Sequence, residues 1–270
     1  RGLGDVYKRQ PHRKQIMRSK AIDFLDIDEM TLYRGKPIKI STHLTLKQPT
    51  LDDICDIGEK QYFAEIGKIC ATPSDYKSEL YDGFNLWWDE VDDFDFFTLI
   101  YKSIDSDILS LLFEEDIDLQ RMVLVKDNTS QDIKLIDTNT QLIIDRFVYE
   151  IIVNYIRKIH RLKKHEEKGG NTTTKRFMVD EDRDNKKYAR KEHQKAQSTL
   201  LPIVSALTNH ANFKYSYSTV WSLPIYVLMD AADRINAIND YENIMTGYYS
   251  GCVDLKKISN KSVLNWMRNL

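Results

Sequence analysis

Apolar residues recur at helical spacing along most of the chain, and one stripe is stronger than the others. After Thr138 or Thr140, one face carries Ile144, Val148, Ile151, Tyr155, Ile159 and Leu162. A stripe of this width is typical of a helix that packs on a core. Weaker patterns of the same period predict helices at 50–69, 72–81, 200–207 and 222–238, two short acidic helices between 94 and 112, and closing helices at 244–249 and 263–266.

Two stretches alternate apolar and polar residues instead, which predicts β-hairpins. The first runs from Thr31 to Leu46 around Arg34-Gly35-Lys36-Pro37. The second joins 119–126 to 133–136, and residues 213–217 favour an extended conformation. The expected fold class is therefore mainly α (α+β), with a helical bundle-like core, two small β-hairpins and a charged, partly protruding helical insertion.

Local signals mark where some of these helices begin. Thr50 followed by Asp53 is a capping pattern, and Thr72-Pro73-Ser74 offers a second N-terminus. Gly58 and Gly67 weaken the helix that Thr50 starts, because glycine loses the most backbone entropy in a helix.

Composition narrows the class of protein. The chain has 270 residues, of which 42% are hydrophobic, and a net charge of −2, so neither disorder nor a global basic field is expected. Three scattered cysteines without a Cys-x-x-Cys pair exclude a disulfide framework and a thiolate zinc site, and favour a reducing cytoplasm. The most apolar stretch, 142–159, contains several charged residues, so no membrane span is expected.

Charge is unevenly placed along the chain. Residues 87–118 are acidic with Lys102 as their one basic residue, whereas 157–195 are rich in Lys and Arg with interleaved acids. From Thr172 the basic stretch reads as an exposed charged helix with few apolar anchors. The expected organisation is 1–29 as a non-native or disordered tail, 30–165 as a hairpin and helical domain, 166–197 as a basic linker or helix, and 198–270 as a C-terminal helical segment that completes the core.

Catalytic signatures are absent from the sequence. The acids after Asp89 lack the glycine and distal glutamate of a calcium loop, and His160 and His165 are five residues apart, so exposed histidines are the favoured interpretation. No nucleophile elbow, phosphate-binding loop or Cys/His signature occurs in the sequence. A protein with no enzymatic activity, no catalytic or metal-binding residues and no cofactor is therefore expected.

Binding to a partner is the remaining interpretation, and two clusters could serve it. Trp87 and Trp88 lie beside carboxylates and could form the centre of a protein interface. Alternatively, one tryptophan belongs to the core and the other covers it as a lid. The basic stretch suits an acidic protein partner or nucleic acid, or is merely solvated. Trp221, Tyr226 and Trp266 are expected in the core. The candidate partner-binding residues are Trp87, Trp88, Asp92, Asp93, Asp95, Arg157, Lys158, Arg161, Lys163, Lys164, Lys175 and Arg176.

The first ten residues, Arg1 to Gln10, resemble the translation of a transposon-end oligonucleotide used to prepare sequencing libraries. They contain the Gly-x-Gly at Gly2 and Gly4, so that motif carries no argument for nucleotide binding. The natural start is expected at Met17 or Met30.

Further segments resemble small tail-assembly proteins of phages and prophages of Gram-positive bacteria. The resembling segments are Tyr33-Arg34-Gly35-Lys36-Pro37-Ile38, Leu46 to Ile54, Gly58 to Phe63, Ala71 to Asp75, Phe94 to Phe97, Tyr155 to His160, Glu167 to Asn171 with Thr174 to Arg176, Phe213 to Tyr215, Tyr241 to Gly251 and Leu264 to Met267.

The resemblance implies a tail assembly chaperone of a long-tailed phage. Such a protein binds the tape-measure protein in the cytoplasm of the host cell and is absent from the finished virion. A helical polymer with exposed apolar stripes needs a partner that covers them, and a hydrophobic groove can do so. The oligomeric state stays open. Two alternatives also stay open: a nucleic-acid-binding or packaging accessory protein that uses 157–195, and a structural tail component.

Overall fold

A computed structural model describes residues 27–126, 132–192 and 198–269. The adapter-like segment, Met17 and the connection at 127–131 lie outside the described residues. The α-helices of the described part are α1 (Glu29–Tyr33), α2 (Leu51–Ile57), α3 (Glu59–Ile69), α4 (Lys77–Phe84), α5 (Asp93–Ile100), α6 (Ser106–Leu112), α7 (Arg146–Ile159), α8 (Thr172–Glu192), α9 (Leu200–Thr208) and α10 (Ile225–Tyr249). The strands are β1 (Ile38–Ser41), β2 (Leu44–Leu46), β3 (Val123–Lys126), β4 (Ile133–Ile136) and β5 (Ile143–Ile144), so the mainly α (α+β) class is confirmed.

The first hairpin is shorter than the sequence predicts. Thr31 to Tyr33 belong to α1, because the Asp28 carboxylate accepts hydrogen bonds from the backbone N–H groups of the first turn. The hairpin β1–β2 turns at residues 42–43 rather than at Arg34 to Pro37. Gly35 instead lies against Pro224, where a Cβ would come within 2.9 Å of the proline Cγ. This turn therefore contacts the start of α10.

The predicted helix over 50–69 is two helices. Its start is confirmed, because Thr50 and Asp53 form a capping box in which each side chain bonds the other residue's backbone N–H. Gly58 has φ 101°, outside helical geometry, and separates α2 from α3. Glycine adopts this conformation without the steric cost that a side chain brings.

The second hairpin gains a third strand. Strands β3, β4 and β5 form an antiparallel sheet in that order, with Leu135 opposite both Leu124 and Ile144. Residues 143–144 are therefore strand, and α7 begins at Arg146 with Asp145 as its N-cap rather than at Thr138 or Thr140. The predicted stripe is confirmed from Val148 to Ile159, whereas Ile144 lies in a strand and Leu162 lies beyond the end of the helix and is exposed.

Helix α7 lies in the centre of the main core. Its buried face packs with α3, α5 and the sheet, and also with α9 and α10, within one hydrophobic cluster. The C-terminal segment is joined to the rest by backbone bonds as well: Leu51 N–H donates to the Leu223 carbonyl and Ile225 N–H to the Pro49 carbonyl. Residues 200–249 thus complete the core formed by the first part of the chain. No helix in the described ranges is long and apolar enough to span a membrane.

Helix α8 packs along α4 over a smaller hydrophobic cluster that includes Trp88, Phe96 and Val179. Phe177 and Tyr188 are exposed, so one side of α8 faces solvent. The charged insertion is therefore helical and partly protruding, and it is also anchored.

Helix α10 is longer than its sequence pattern predicts. Instead of ending near Ile238 and restarting at Ile244, it continues without interruption to Tyr249. Residues 213–216 are extended without being part of a sheet, and the predicted closing helix at 263–266 is a 3₁₀ turn over Lys261–Leu264.

Candidate functional site: interaction surfaces

The predicted acidic site residues lie at the start of α5, where each has a basic partner within the chain. Asp92 caps α5, and its carboxylate forms an ion pair with Arg146. Asp95 lies 3.0 Å from the same guanidinium, and Asp93 lies 2.6 Å from the Lys164 ammonium. Asp93 of the acidic stretch thus meets Lys164 of the basic stretch here, and Arg146 neutralises the other two acids.

Residues 162–171, called the strap here, connect α7 to α8 and lie across the turn that precedes α4. The Thr72 hydroxyl donates to the His165 carbonyl at 2.7 Å, and the Glu167 N–H donates to the Ser74 hydroxyl at 3.0 Å. These two bonds fix the backbone of the strap on that turn.

Trp88 also holds the strap. Its indole is 1% exposed, and Nε1–H donates to the Glu167 carbonyl at 2.9 Å. The Lys77 ammonium, itself buried, forms a 2.7 Å ion pair with the Glu167 carboxylate, and this contact lowers the pKa of Glu167. Of the two alternatives for the tryptophan pair, Trp88 therefore belongs to the core.

Trp87 lies beside it at the edge of the small cluster. Its ring stacks on Tyr81 at 4.7 Å, and the Lys175 ammonium lies 5.4 Å from its centre. The same ammonium is 2.6 Å from Asp89, and both of these charged side chains are largely shielded from water. Lys175, one of the predicted partner-binding residues, therefore anchors α8 to the rest of the chain.

His165 lies between two carboxylates on the strap. Its Nδ1 is 2.7 Å from Asp75 and its Nε2 is 3.0 Å from Glu167. Hydrogen bonding to Asp75 first, and then to Glu167, raises the pKa of His165. Both ring nitrogens face acceptors, which suits the protonated ring, since only that form donates from both.

The other contacts of α8 with α4 are also charged. Arg183 reaches Asp82 at 2.8 Å, while the Ser78 hydroxyl donates to Asp182 at 2.7 Å. Lys186 lies 2.5 Å from Glu79 of α4 and 2.8 Å from Asp182 of its own helix. The groove between α4 and α8 therefore carries both signs of charge, which weakens its field for any ligand of one sign.

Three further predicted site residues make structural contacts at the end of α7. The buried Arg157 donates to the Cys70 carbonyl at 2.6 Å, and Lys158 lies 3.2 Å from Glu29. Arg161 lies 2.9 Å from Asp230 of α10. They join α7 to α3, α1 and α10.

Lys163 and Arg176 complete the predicted set. Both are exposed, and neither makes an ion pair within the described part of the chain. They are the members of the predicted set whose charge faces solvent.

The expectation of two exposed histidines is wrong for His160. Its ring is buried, Nδ1 lies 2.7 Å from the Ile156 carbonyl, and Nε2 lies 2.7 Å from the Tyr62 hydroxyl. Burial lowers the pKa of His160 to about 4, so the ring is neutral: Nδ1–H donates to the carbonyl and Nε2 accepts from the tyrosine. Its position four residues after Ile156 on the buried face of α7 was the signal for this.

An apolar surface that the sequence set did not include lies on the three-stranded sheet. Val123, Ile136 and Ile143 oppose one another across the strands, on the face opposite the buried Leu135. Val123 is 52% and Ile143 48% exposed, and Val125 is exposed on the same face. The side chains of Val123, Val125, Ile136 and Ile143 are called the sheet face.

A second unpredicted surface is formed by residues 252–268, called the C-terminal strip. The chain turns at Gly251, and the N–H groups of residues 252 and 253 donate to the Gly247 carbonyl at 2.9 Å. It then runs back along α10 until Arg234 donates to the Trp266 carbonyl at 2.6 Å. Trp266 is 40% exposed, so its expected core position is wrong, whereas Tyr226 is buried and Trp221 half-buried.

Metal chemistry finds no geometric support in the described ranges, where no group of three or more His, Cys, Asp or Glu residues is placed to hold an ion. The structure instead presents two kinds of surface: charged contacts satisfied within the chain, and the exposed sheet face and C-terminal strip.

Comparison with known proteins points to phages. The model of a family described as "YomV second domain" matches residues 190–270, which include α9, α10 and the C-terminal strip. This family is phage-associated, since YomV is a gene of a Bacillus prophage, and the match supports a phage origin for the chain. No curated protein and no solved structure matches the chain.

Proposed function

We propose that this protein is a non-enzymatic tail assembly chaperone, which binds the tape-measure protein of a long-tailed phage in the host cytoplasm and leaves before the virion is complete. The phage-associated match over residues 190–270 and the resemblance of the earlier segments support the setting. The observation that carries a binding role is the sheet face, an apolar row across three strands that faces solvent.

The sheet face suits the apolar stripe of an amphipathic helix. Exposed apolar patches on soluble proteins commonly mark sites where another protein binds. A row of β-branched side chains is rigid, so ordering it on binding costs little side-chain entropy. A tape-measure helix laid on this row is protected from aggregation until the tail tube polymerises.

The test is co-expression of the full chain with the tape-measure gene of the same phage, followed by affinity purification and a titration of the complex. The test variant is V123T/V125T/I143T, which keeps β-branched residues of similar shape and makes the face polar. Its expected affinity is at least about tenfold lower, equivalent to 1.4 kcal/mol. The control variant F177Q/L201Q makes two exposed apolar residues on α8 and α9 polar and keeps good helix formers there.

Two results contradict the proposal. One is that no long helical tail protein is retained by the unchanged chain, and the other is that the control variant loses binding as much as the sheet-face variant does. Presence of the protein in purified virions favours a structural tail component instead.

The nucleic-acid alternative through 157–195 has less geometric support. Lys164 and Lys175 of that stretch lie 2.6 Å from Asp93 and Asp89, and Arg157 is buried. The two lysines are paired with carboxylates and Arg157 is buried against a carbonyl, so these three cations are not free to contact phosphates.

A further inference from the structure

The C-terminal strip is an extended segment that packs along α10. Val253 contacts α10 at Gly247, and the strip then reaches Arg234 of the same helix, which donates to both the Trp266 and Arg268 carbonyls. The helix between those two points is about 20 Å long at 1.5 Å per residue. The strip is therefore long enough to follow several units of an extended polymer.

The charge of the strip is positive and unpaired. Lys256, Lys257 and Lys261 are exposed, and Arg268 is half-buried. Within the described residues none of the four forms an ion pair, although Arg268 and Lys261 donate to nearby carbonyls. Asp254 is the one acid between 250 and 269, and it caps the following turn.

Aromatic rings stand at both ends of the strip. Tyr249, at the end of α10, is 78% exposed and Tyr248 beside it is also exposed, while Trp266 lies at the far end. Exposed rings beside a row of cations are the arrangement by which proteins hold single-stranded nucleic acid, since every base has a face that stacks.

The residue types separate nucleic acid from an acidic protein as the ligand. Three of the four cations are lysines, which protein–protein interfaces deplete at their cores. A lysine ammonium is a point charge that binds phosphate well, and tyrosine and tryptophan stack on bases. We propose that the C-terminal strip binds single-stranded nucleic acid without strong sequence preference, through phosphate contacts of its lysines and stacking on Tyr249 and Trp266.

The first experiment measures the binding of the full chain to a fluorescently labelled oligo(dT) by anisotropy, at salt concentrations from 50 to 200 mM. With about four phosphate contacts on a single strand, the affinity should fall about 50-fold over this range. In K256Q/K257Q/K261Q the slope of log affinity against log salt should become shallower by about 2. The affinity at 50 mM salt should fall at least about tenfold, since three phosphate contacts are lost.

The control variant removes an equal number of exposed cations elsewhere. K163Q/K168Q/R176Q changes the strap and the start of α8, which are exposed basic positions outside the strip. Its affinity for oligo(dT) should stay within about twofold of the unchanged chain, because long-range charge effects are small at these salt concentrations.

The stacking of bases on Tyr249 and Trp266 is tested by separate measurements. Tyr249→Ala should weaken binding by at least about fivefold with the salt slope unchanged, because it removes stacking and no charge. Binding should quench tryptophan fluorescence in the unchanged chain, and Trp266→Phe should abolish that quenching.

Three results overturn the inference: no measurable binding at 50 mM salt, equal loss of binding in the control variant, or equal affinity for poly-glutamate, which would identify a surface for acidic proteins. The sheet face is formed by a different part of the chain, so the sheet-face variant V123T/V125T/I143T should bind oligo(dT) normally. Loss of tape-measure binding and loss of nucleic-acid binding are therefore distinguishable.

Discussion

Lys175 and Lys256 both belong to basic stretches of the sequence, but their surroundings differ. Lys175 lies 2.6 Å from Asp89 and against the ring of Trp87, whereas Lys256 is exposed and has no ion-pair partner in the described part of the chain. The first stretch is longer and richer in Lys and Arg, and yet most of the cations that the structure describes in it form ion pairs within the chain. The density of Lys and Arg in a sequence is therefore a poor guide to the positive surface of the folded protein.

The difference comes from where the acids lie. The acidic run at 87–118 folds against the strap and α8, so it supplies partners such as Asp89 and Asp93. The C-terminal strip has Asp254 as its one local acid and packs on α10 instead. A basic segment thus becomes a scaffold element or a binding surface according to what the fold places beside it.

The largest expected effect is the difference in stability lost when Trp88, under the strap, and Trp266, in the C-terminal strip, are each replaced by alanine. Trp88→Ala should destabilise the protein by about 3–5 kcal/mol, because it opens a cavity under the strap and removes the donor to Glu167. Trp266→Ala, at an exposed site, should cost less than about 1 kcal/mol. Urea unfolding of both variants checks this, and equal costs would show that the strap is no better anchored than the strip.

Charge reversal gives the next largest effect. Lys175→Glu should destabilise by about 1–3 kcal/mol, since it places a third carboxylate beside Asp89 and Glu90. Adding Asp89→Lys should restore at least half of the loss. Lys257→Glu should change stability by less than about 0.5 kcal/mol, as exposed sites usually do. If the double variant with both charges exchanged recovers no stability, the ion pair between Lys175 and Asp89 does not anchor α8.

The parts of the fold that sequence predicts well are local. The Thr50–Asp53 capping box needs two residues three positions apart, and the stripe through Ile151 and Tyr155 needs one face of one helix. Both follow from spacing alone. The α1 helix was missed although Asp28 caps it, because Thr31 and Tyr33 also fit a strand pattern.

The candidate site could not be predicted in the same way. The contact of Asp93 with Lys164 joins residues far apart in the chain, so it depends on how α5 and the strap are placed by the core. The sheet face could not be predicted because it includes Ile143 of the unpredicted strand β5. Pairing with β5 places Ile143 beside Ile136 on one face of the sheet and Ile144 beside the buried Leu135 on the other. Sequence supplies the charged and apolar residues of these surfaces, and only the tertiary structure decides which of them face solvent.

A smaller expected effect is a loss of local stability in the strap as the pH rises. A histidine whose pKa is raised in the folded protein contributes stability that is fully present below its unfolded value of 6.5 and lost as pH rises through the folded value. Amide exchange in the strap, corrected for its intrinsic pH dependence, should therefore increase above neutral pH, while the C-terminal strip shows no such increase. His165→Gln should remove the pH dependence. An NMR titration that places the pKa of His165 at or below 6.5 would contradict this assignment.

The smallest effect concerns the backbone where the basic stretch begins. Arg161 has φ 55°, a left-handed conformation that costs a non-glycine residue about 1 kcal/mol. Arg161→Gly loses the ion pair with Asp230 and relieves this strain, whereas Arg161→Ala loses the ion pair and keeps the strain. The glycine variant should be more stable than the alanine variant by about 1 kcal/mol in thermal or urea unfolding. The reverse order would show that the left-handed conformation is not retained.

The most direct test of the contrast between the two basic regions is lysine acylation of the native protein, followed site by site with mass spectrometry. Lys77 and Lys175, whose ammonium groups lie against Glu167 and Asp89, should react slowly. Lys256, Lys257 and Lys261 are exposed and should react faster than these two, and all five should react alike once the protein is unfolded. Fast acylation of Lys175 in the native protein would contradict the account, because it would mean that this cation of the first basic stretch faces solvent instead of Asp89.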